Sequence, residues 1–452
     1  MKNTKKRNLV SFVATRMVAM CVLLCKLYIA NAADITYNDL EYTILSDSTV
    51  SLTGPKKTTL TQLIVPDYVE YNGKKYYVVS VGKNAYYNND KIKTVDFSAC
   101  TKLAIIDTLA FSSAENLKTV VFPTSLEKIN FSGFKGTGIL TIDLSNCRKL
   151  KNIGVAAFLK FTTKSNNEVY LPSSVEEIGA NAFNSSQTTD CKCYLSMTNI
   201  PSFENSKPFP VKSTLYVPIA QKNAYQEVEN LSLYKSKMTG WIPDVSTQAY
   251  IPINGEDNEY WGTIYVPKNV SVPDDVKVYA VTQAPLDGII TIKEVNIPSG
   301  YCLGEGGYLL SSSTTMTKLM FIEDSVNTAV TVEDNILKGT TTNVIDQTPD
   351  GEDKKYYVLA DGAEGTAFYY TCEDGNTVTN RAYKAYLALP EQQNKTMSLK
   401  MMIDRATSIN EIKTESRIRN DNIYNLQGLQ MKEETINGIY IQGGKKYVTV
   451  SR

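Results

Sequence analysis

Residues 103 to 111 read Leu103-Ala104-Ile105-Ile106-Asp107-Thr108-Leu109-Ala110-Phe111, and the frame within them, Leu103, Ile106, Ala110 and Phe111, returns along the chain. The other copies are Val78/Val81/Ala85/Tyr86, Leu126/Ile129/Phe134, Leu150/Ile153/Ala157/Phe158 and Val175/Ile178/Ala182/Phe183, which makes five in all. Successive aromatics stand 25, 23, 24 and 25 residues apart. A period in the twenties marks a solenoid, whose coils bury their apolar faces only by stacking on one another. Tyr86, Phe111, Phe134, Phe158 and Phe183 are thus the expected structural spine, with Gly133 replacing alanine in the third copy and tyrosine replacing phenylalanine in the first.

Between these copies runs a second phrase, a short β-branched strand: Val95-Asp96-Phe97, Val120-Val121-Phe122, Ile142-Asp143-Leu144, Val169-Tyr170-Leu171, Cys193-Tyr194-Leu195 and Leu215-Tyr216-Val217. Side chains alternate along a strand, so the first and third residues point into the coil and the middle one points out. Pro123, Pro172 and Pro218 follow three of these strands directly. Proline has no amide hydrogen for the ladder and suits the place where it ends. The outward residues in order are Asp96, Val121, Asp143, Tyr170, Tyr194 and Tyr216, so the last three are expected to form an aromatic stripe. Tyrosine covers a large area at low entropic cost and keeps a hydroxyl for bonding, which makes the stripe the candidate partner-binding surface. The alternative is packing against a neighbouring domain, or plain cross-strand stacking.

The Leu103 to Phe111 and Val175 to Phe183 segments, with the turns Pro-Ser-Ser-Val and Asn-Cys-x-x-Leu that accompany them, resemble the bacterial leucine-rich repeats called BspA-like. That resemblance implies a surface or secreted bacterial protein attaching to host matrix proteins or other cells. It covers roughly residues 76–240.

The flanks differ in character. Residues 33–75 hold strand-like runs and the hairpin signal Asn72-Gly73, and form the expected N-terminal β cap, since a solenoid needs its open end shielded. From 241 to 405 the period is lost, and runs such as Gly262-Thr263-Ile264-Tyr265-Val266 and Lys355-Tyr356-Tyr357-Val358-Leu359 alternate with turn residues, as in an all-β sandwich-like domain. Residues 406–422 are polar and read as a linker. Residues 423–452 carry three strand-like pieces with glycine turns and resemble the C-terminal sorting domain of the type IX secretion system, which implies contact with secretion machinery; the alternative is a final hairpin of the β-domain. The expected fold class is mainly β: a leucine-rich-repeat solenoid, an all-β sandwich-like domain and a small β tail domain.

The first 32 residues read as a signal peptide: Lys2, Lys5, Lys6 and Arg7, an apolar run from Met17 to Cys25, and a small-x-small site at Ala30-Asn31-Ala32. A lipoprotein signal ending at Cys25 fits less well, with Leu23 and Leu24 where small residues belong. Nine apolar residues cannot cross a membrane, which takes about 20. Taking the leader's six basic residues from the chain's 47 leaves 41 against 47 acidic, a net charge of −6. A mildly acidic chain has no basic footprint for nucleic acid. Of the six remaining cysteines, Cys100 and Cys147 fall at equal places two coils apart and are expected to stay unbridged, about 10 Å from each other. Cys302 and Cys372 are candidates for a bridge. Cys191-Lys192-Cys193 lacks the second pair or histidine that a metal site needs.

There is no histidine in the sequence. Ser-His-Asp and Cys-His systems, histidine bases and histidine-bearing zinc sites are thereby excluded. Nor do the acidic residues single out a glycosidase pair, and there is no phosphate loop; Asp350-Gly351-Glu352-Asp353 lacks calcium-loop spacing. The expected function is therefore non-enzymatic recognition or adhesion, without cofactor or metal. Its partner is a macromolecule, a protein or glycan on host matrix or other cells, bound through the solenoid. The alternative is a glycan-binding accessory protein in polysaccharide capture.

Overall fold

The structure, a computed structural model, describes residues 34–55, 59–161, 167–185, 190–204, 207–245, 248–249, 260–313, 318–341, 354–362, 365–370, 380–390, 398–403, 423–425, 430–431, 438–442 and 445–449. The leader, the linker, Cys372 and the acidic stretch at 350–353 lie outside the described residues. Residues up to Ala406 form one compact unit and residues from Thr407 onward a second.

Each coil contributes two short parallel strands. The first ladder runs through Lys74–Val81, Ile105–Ile106, Lys128–Ile129, Asn152–Ile153, Glu177–Ile178 and Ser202–Phe203, each pairing with the next. The isoleucine position points inward every time and is buried, from Val81 and Ile106 to Ile178 and Phe203. The second ladder has two parts. Gln62–Ile64, Thr94–Asp96 and Thr119–Val121 form one sheet, and Thr141–Asp143, Asn167–Leu171, Cys191–Leu195, Thr214–Pro218 and Met238–Ile242 belong to another.

The turn carrying the aromatic residue is also a ladder, although it contains no strand. The amide of Tyr86 donates to Ala110, that of Phe111 to Gly133, that of Phe134 to Ala157 and that of Phe158 to Ala182, all at 2.6–2.7 Å. Every such turn needs a left-handed residue two places before the aromatic: Asn84, Leu109, Ser132, Ala156 and Asn181 have φ between 54° and 60°. The aromatics beneath it stack in one column, Tyr86 on Phe111, Phe134, Phe158 and Phe183, with ring centroids 5.1–5.2 Å apart and planes within 7°. Offset stacking of this kind adds about 0.5–1.5 kcal/mol per pair beyond the area buried.

The column extends one coil past the five copies read from the sequence. Phe209 stacks on Phe183 at 5.5 Å, and the ring of Tyr234 closes the end edge-on. In this sixth coil Phe203 takes the isoleucine position, proline precedes the aromatic, and the spacing is one residue longer. Cys100 and Cys147 are buried and unbridged, their thiols donating to Val65 and Pro123 of the preceding coils. Serines staple the same corner: Ser125 donates to Cys100 and Leu103, and Ser174 to Cys147 and Leu150.

At the N-terminal end, strands Asp34–Tyr37, Leu40–Ser46 and Thr49–Pro55 pair antiparallel, and the last lies parallel to Lys74–Val81. The hairpin at Asn72-Gly73 joins Tyr68–Tyr71 to Lys74–Val81, with both turn residues at positive φ. At the other end the chain passes through three short helical pieces, Ile219–Gln221, Lys222–Gln226 and Glu229–Lys237, whose Tyr225 and Tyr234 hydroxyls donate to Met197 and Phe209.

Strand Met238–Ile242 then carries the solenoid sheet into the all-β part. It pairs parallel with Thr214–Pro218 on one side and antiparallel with Phe321–Glu323 on the other, and Val270–Ser271, Tyr301–Leu303 and Thr328–Val330 continue the sheet. A second sheet of ten strands packs on it, running from Gln248–Ala249 to Leu337–Gly339. One core, including Ile242, Ile264, Val266, Val278, Leu310 and Phe321, links this region to the solenoid end through Ile219; the other lies around Trp261, Tyr279, Leu309, Tyr357 and Phe368. In the second unit Gln430–Met431, Ile423–Asn425, Gly438–Gln442 and Lys445–Thr449 form a four-stranded antiparallel sheet.

Candidate functional site

Tyr170, Tyr194 and Tyr216 occupy equal places on neighbouring parallel strands, so the ladder sets their rings face to face. Their centroids are 4.6 and 4.5 Å apart. The stripe is formed, but its surroundings differ from a free surface. Tyr194, read from the sequence as an outward residue for a partner, is only 4% exposed, because Trp241 of the same sheet lies against it at 5.3 Å. Tyr170 is half-buried beneath the Lys318 ammonium, 4.1 Å from its ring centroid, and Tyr216 is half-buried as well. This matches the alternative reading of the stripe, cross-strand stacking and packing against later segments of the chain.

The seam is polar as well as aromatic. Lys318 pairs with Asp143; burial alone would raise the Asp143 carboxyl, but Lys318 and Ser145 outweigh it and hold the pKa below the ordinary value. Lys222 meets Glu323 at 2.5 Å, and the Gly240 amide donates to the same carboxylate at 3.1 Å. Burial opposes the charge on Glu323, yet these two contacts win and its pKa is lowered. Glycine is required at 240, since a Cβ would stand 2.7 Å from Ile219 and 3.0 Å from Glu323.

Beside the stripe a cleft of about 470 Å³ opens between the strand exits and the segment 380–384. The solenoid supplies Arg148, Ser173, Ser196 and Thr198, the turn after the connecting strand Pro243 and Asp244, and the far wall Asn380, Arg381, Ala382, Tyr383 and Lys384. A smaller recess of about 260 Å³ shares Arg148, Ser196 and Asp244 and reaches Asp143, Tyr170 and Lys318. Tyr170 apart, none of the residues lining these two hollows has a binding role read from the sequence, because five separate segments bring the larger cleft's lining together.

The N-terminal half of the second ladder is open. Ile64, Asp96 and Val121 stand in register, with Ile64 60% and Val121 44% exposed. Among the described residues no group of three or more metal-ligating side chains is close enough to hold an ion. Cys191 and Cys193 lie with sulfurs 3.6 Å apart inside the core. Cys302 is buried and donates to Asn327.

Residues 79–208 match the family model for the BspA type leucine rich repeat region, in six copies. The matched range takes in Phe203 and ends just before Phe209. No curated protein matches the chain. Among solved structures it is similar to a leucine-rich repeat protein from Bacteroides capillosus, with 22% identity over 31% of this chain and 84% of that one and a TM-score of 0.22. A leucine-rich repeat protein from Bacteroides ovatus shares 20% identity over 42% of this chain, which spans only 56% of that protein, with a TM-score of 0.27. A leucine rich cell surface protein from Faecalibacterium prausnitzii shares 15% identity over 40% of this chain and 78% of that one, with a TM-score of 0.16.

Proposed function

We propose that this chain is an exported, non-enzymatic recognition protein that holds a macromolecular partner on its solenoid, at a bacterial surface or released from it. The observation that carries this reading is the open row Ile64, Asp96 and Val121 on a ladder of three paired parallel strands. Single exposed apolar side chains are ordinary. Two of them in register about a carboxylate, on a surface that pays no ordering cost when it binds, are the makings of a contact for a protein displayed on a matrix or another cell.

The BspA-type repeats support a binding or adhesion role and a surface or secreted location. The leader at residues 1–32 supports export, and the glycine and lysine positions of 423–452 support delivery by type IX secretion machinery. No helix among the described residues is long and apolar enough to cross a membrane. With Tyr194 covered, the tyrosine stripe serves chiefly to seat the all-β domain, and the partner surface shifts to the N-terminal half of the same ladder.

The test is binding of the whole chain to a panel of matrix proteins and to a glycan array, side by side, for wild type and an Ile64→Lys/Val121→Lys variant. Binding to a matrix protein that the variant loses while its melting temperature holds is the expected result. A clean glycan hit abolished only by changes within residues 241–405 would replace this reading with polysaccharide capture. Intact precursor in the cytoplasmic fraction would overturn the location.

A further inference from the structure

Three cations converge on the cleft at the seam. Arg148 comes from the turn after strand Thr141–Asp143, while Arg381 and Lys384 come from the opposite wall, and one carboxylate, Asp244, shares the space. None of the three basic side chains has a carboxylate within ion-pair distance among the described residues, in contrast with Lys222 and Lys318 on the same seam. The protein thus leaves an excess of positive charge facing a hollow rather than neutralising it.

The far wall is held in place at a cost. Tyr383 has φ of 61°, in the left-handed region that bulky side chains avoid. Its amide donates to Thr340 and its carbonyl accepts from Tyr265, both at 2.8 Å, while its hydroxyl donates to Gln221 at 2.8 Å and accepts from the Ala220 amide. The Asn380 side chain donates to the Lys384 carbonyl at 2.8 Å and closes the turn. The bonds around this strained residue hold the backbone that carries Arg381 and Lys384 in place before any ligand arrives. Such preorganisation is what strain at a binding site achieves.

The remaining lining narrows the ligand. Ser173, Ser196, Thr198 and Asn380 offer hydroxyls and an amide, whereas Pro243 and Ala382 are small and Tyr383 is the one aromatic side chain of the described lining, of the kind on which a sugar ring packs. The volume lies within the range of small-molecule sites, about 300–1,000 Å³. Guanidinium groups take carboxylate and sulfate in paired hydrogen bonds, and hydroxyl-rich walls take sugar hydroxyls. We propose that this cleft binds an acidic sugar, its carboxylate or sulfate held between Arg148 and Arg381 and its ring hydroxyls against the serine and threonine wall. The site is separate from the open row of Ile64 and Val121 and does not depend on it.

The experiment is calorimetric titration of the whole chain with glucuronate, glucose 6-sulfate, glucose and inorganic sulfate. Glucuronate or glucose 6-sulfate is expected to bind, whichever is tighter naming the anion, with glucose at least tenfold weaker. Arg148→Ala and Arg381→Ala should each weaken the acidic sugar by about tenfold, the effect of losing one charge-assisted contact, with Arg148→Lys recovering part of it. Unchanged melting and unchanged matrix-protein binding in these variants separate the cleft from the solenoid surface. Equal binding of glucose and glucuronate, binding of inorganic sulfate as tight as any sugar, no binding at all, or indifference to both arginine changes would overturn the proposal.

Discussion

The indole of Trp241 rests on the ring of Tyr194, centroids 5.3 Å apart, and its N–H donates to the Leu195 carbonyl at 3.2 Å. Trp241 belongs to the strand that is at once the last rung of the solenoid and the first of the next sheet. One side chain thus covers the tyrosine stripe from the strand shared by the two sheets and satisfies a buried carbonyl while doing so.

Trp241→Ala should cost about 3–5 kcal/mol, the range for emptying a buried aromatic site. Its further consequence is loss of cooperativity. Scanning calorimetry of wild type should show the solenoid and the all-β region melting together, and the variant should split the endotherm. A single, merely shifted transition in the variant would show that the seam does not couple them.

The aromatic column gives two substitutions of opposite sign. Phe134 is fully buried with stacked rings on both sides, so Phe134→Ala should destabilise by about 3–5 kcal/mol and separate the coils above from those below. The Tyr86 hydroxyl, by contrast, is buried without a partner, and burial pushes its pKa far up. Tyr86→Phe removes that orphan while keeping the ring, and should raise stability by up to about 1 kcal/mol in urea unfolding. A loss on Tyr86→Phe would mean the hydroxyl has an energetic role the geometry does not reveal.

These features were not equally legible in the sequence. The spine and both ladders could be read because each coil repeats Leu-x-x-Ile and an aromatic at nearly fixed spacing, and each repeat answers the same physical demand. The sixth coil escaped because Phe203, Pro208 and an extra residue obscure the phrase, although the core needs only an apolar side chain in the isoleucine place. The covering of Tyr194 and the cleft at Arg148 depend on segments up to 236 residues further along, Arg148 facing Lys384, and no local pattern encodes such a meeting. The left-handed turn positions were equally hidden, since Asn84 and Asn181 announce them but Leu109 and Ala156 do not.

That last point carries a prediction. Ala156 sits at φ 55° with its Cβ in the way, a cost of about 1–2 kcal/mol that glycine avoids. Glycine gives back about 0.5–1 kcal/mol in unfolded-chain entropy, so Ala156→Gly should be neutral to stabilising by about 1 kcal/mol. Its neighbour Ala157 is fully buried and outside the positive-φ positions, and Ala157→Gly should destabilise. Urea midpoints moving the same way in both variants would show that the turn is not strained at 156.

Lys384 supplies the pH dependence. Burial brings its ammonium from 10.5 down to about 8, with Asp244 pulling it back up and Arg381 and Arg148 pushing it further down. Between those two values the unfolded chain holds a proton that the folded chain has released, so stability rises with pH across that interval; below about 8 both states are charged and the folded one bears the whole penalty. Cys100 and Cys147, raised from 9.0 to about 12 by burial, act in the opposite sense once their unfolded thiols ionise, so the rise is cleanest just above pH 8. Denaturant unfolding from about pH 7 to about pH 9 should therefore show wild type gaining stability relative to Lys384→Met, with the variant the more stable of the two at the lower end. An anion in the cleft favours the charged lysine, so stabilisation of wild type by glucuronate should be greater at about pH 7 than at about pH 9, while that of the variant, which keeps both arginines, should depend less on pH. Parallel pH curves for the two proteins, with and without the sugar, would remove Lys384 from any part in charging the cleft.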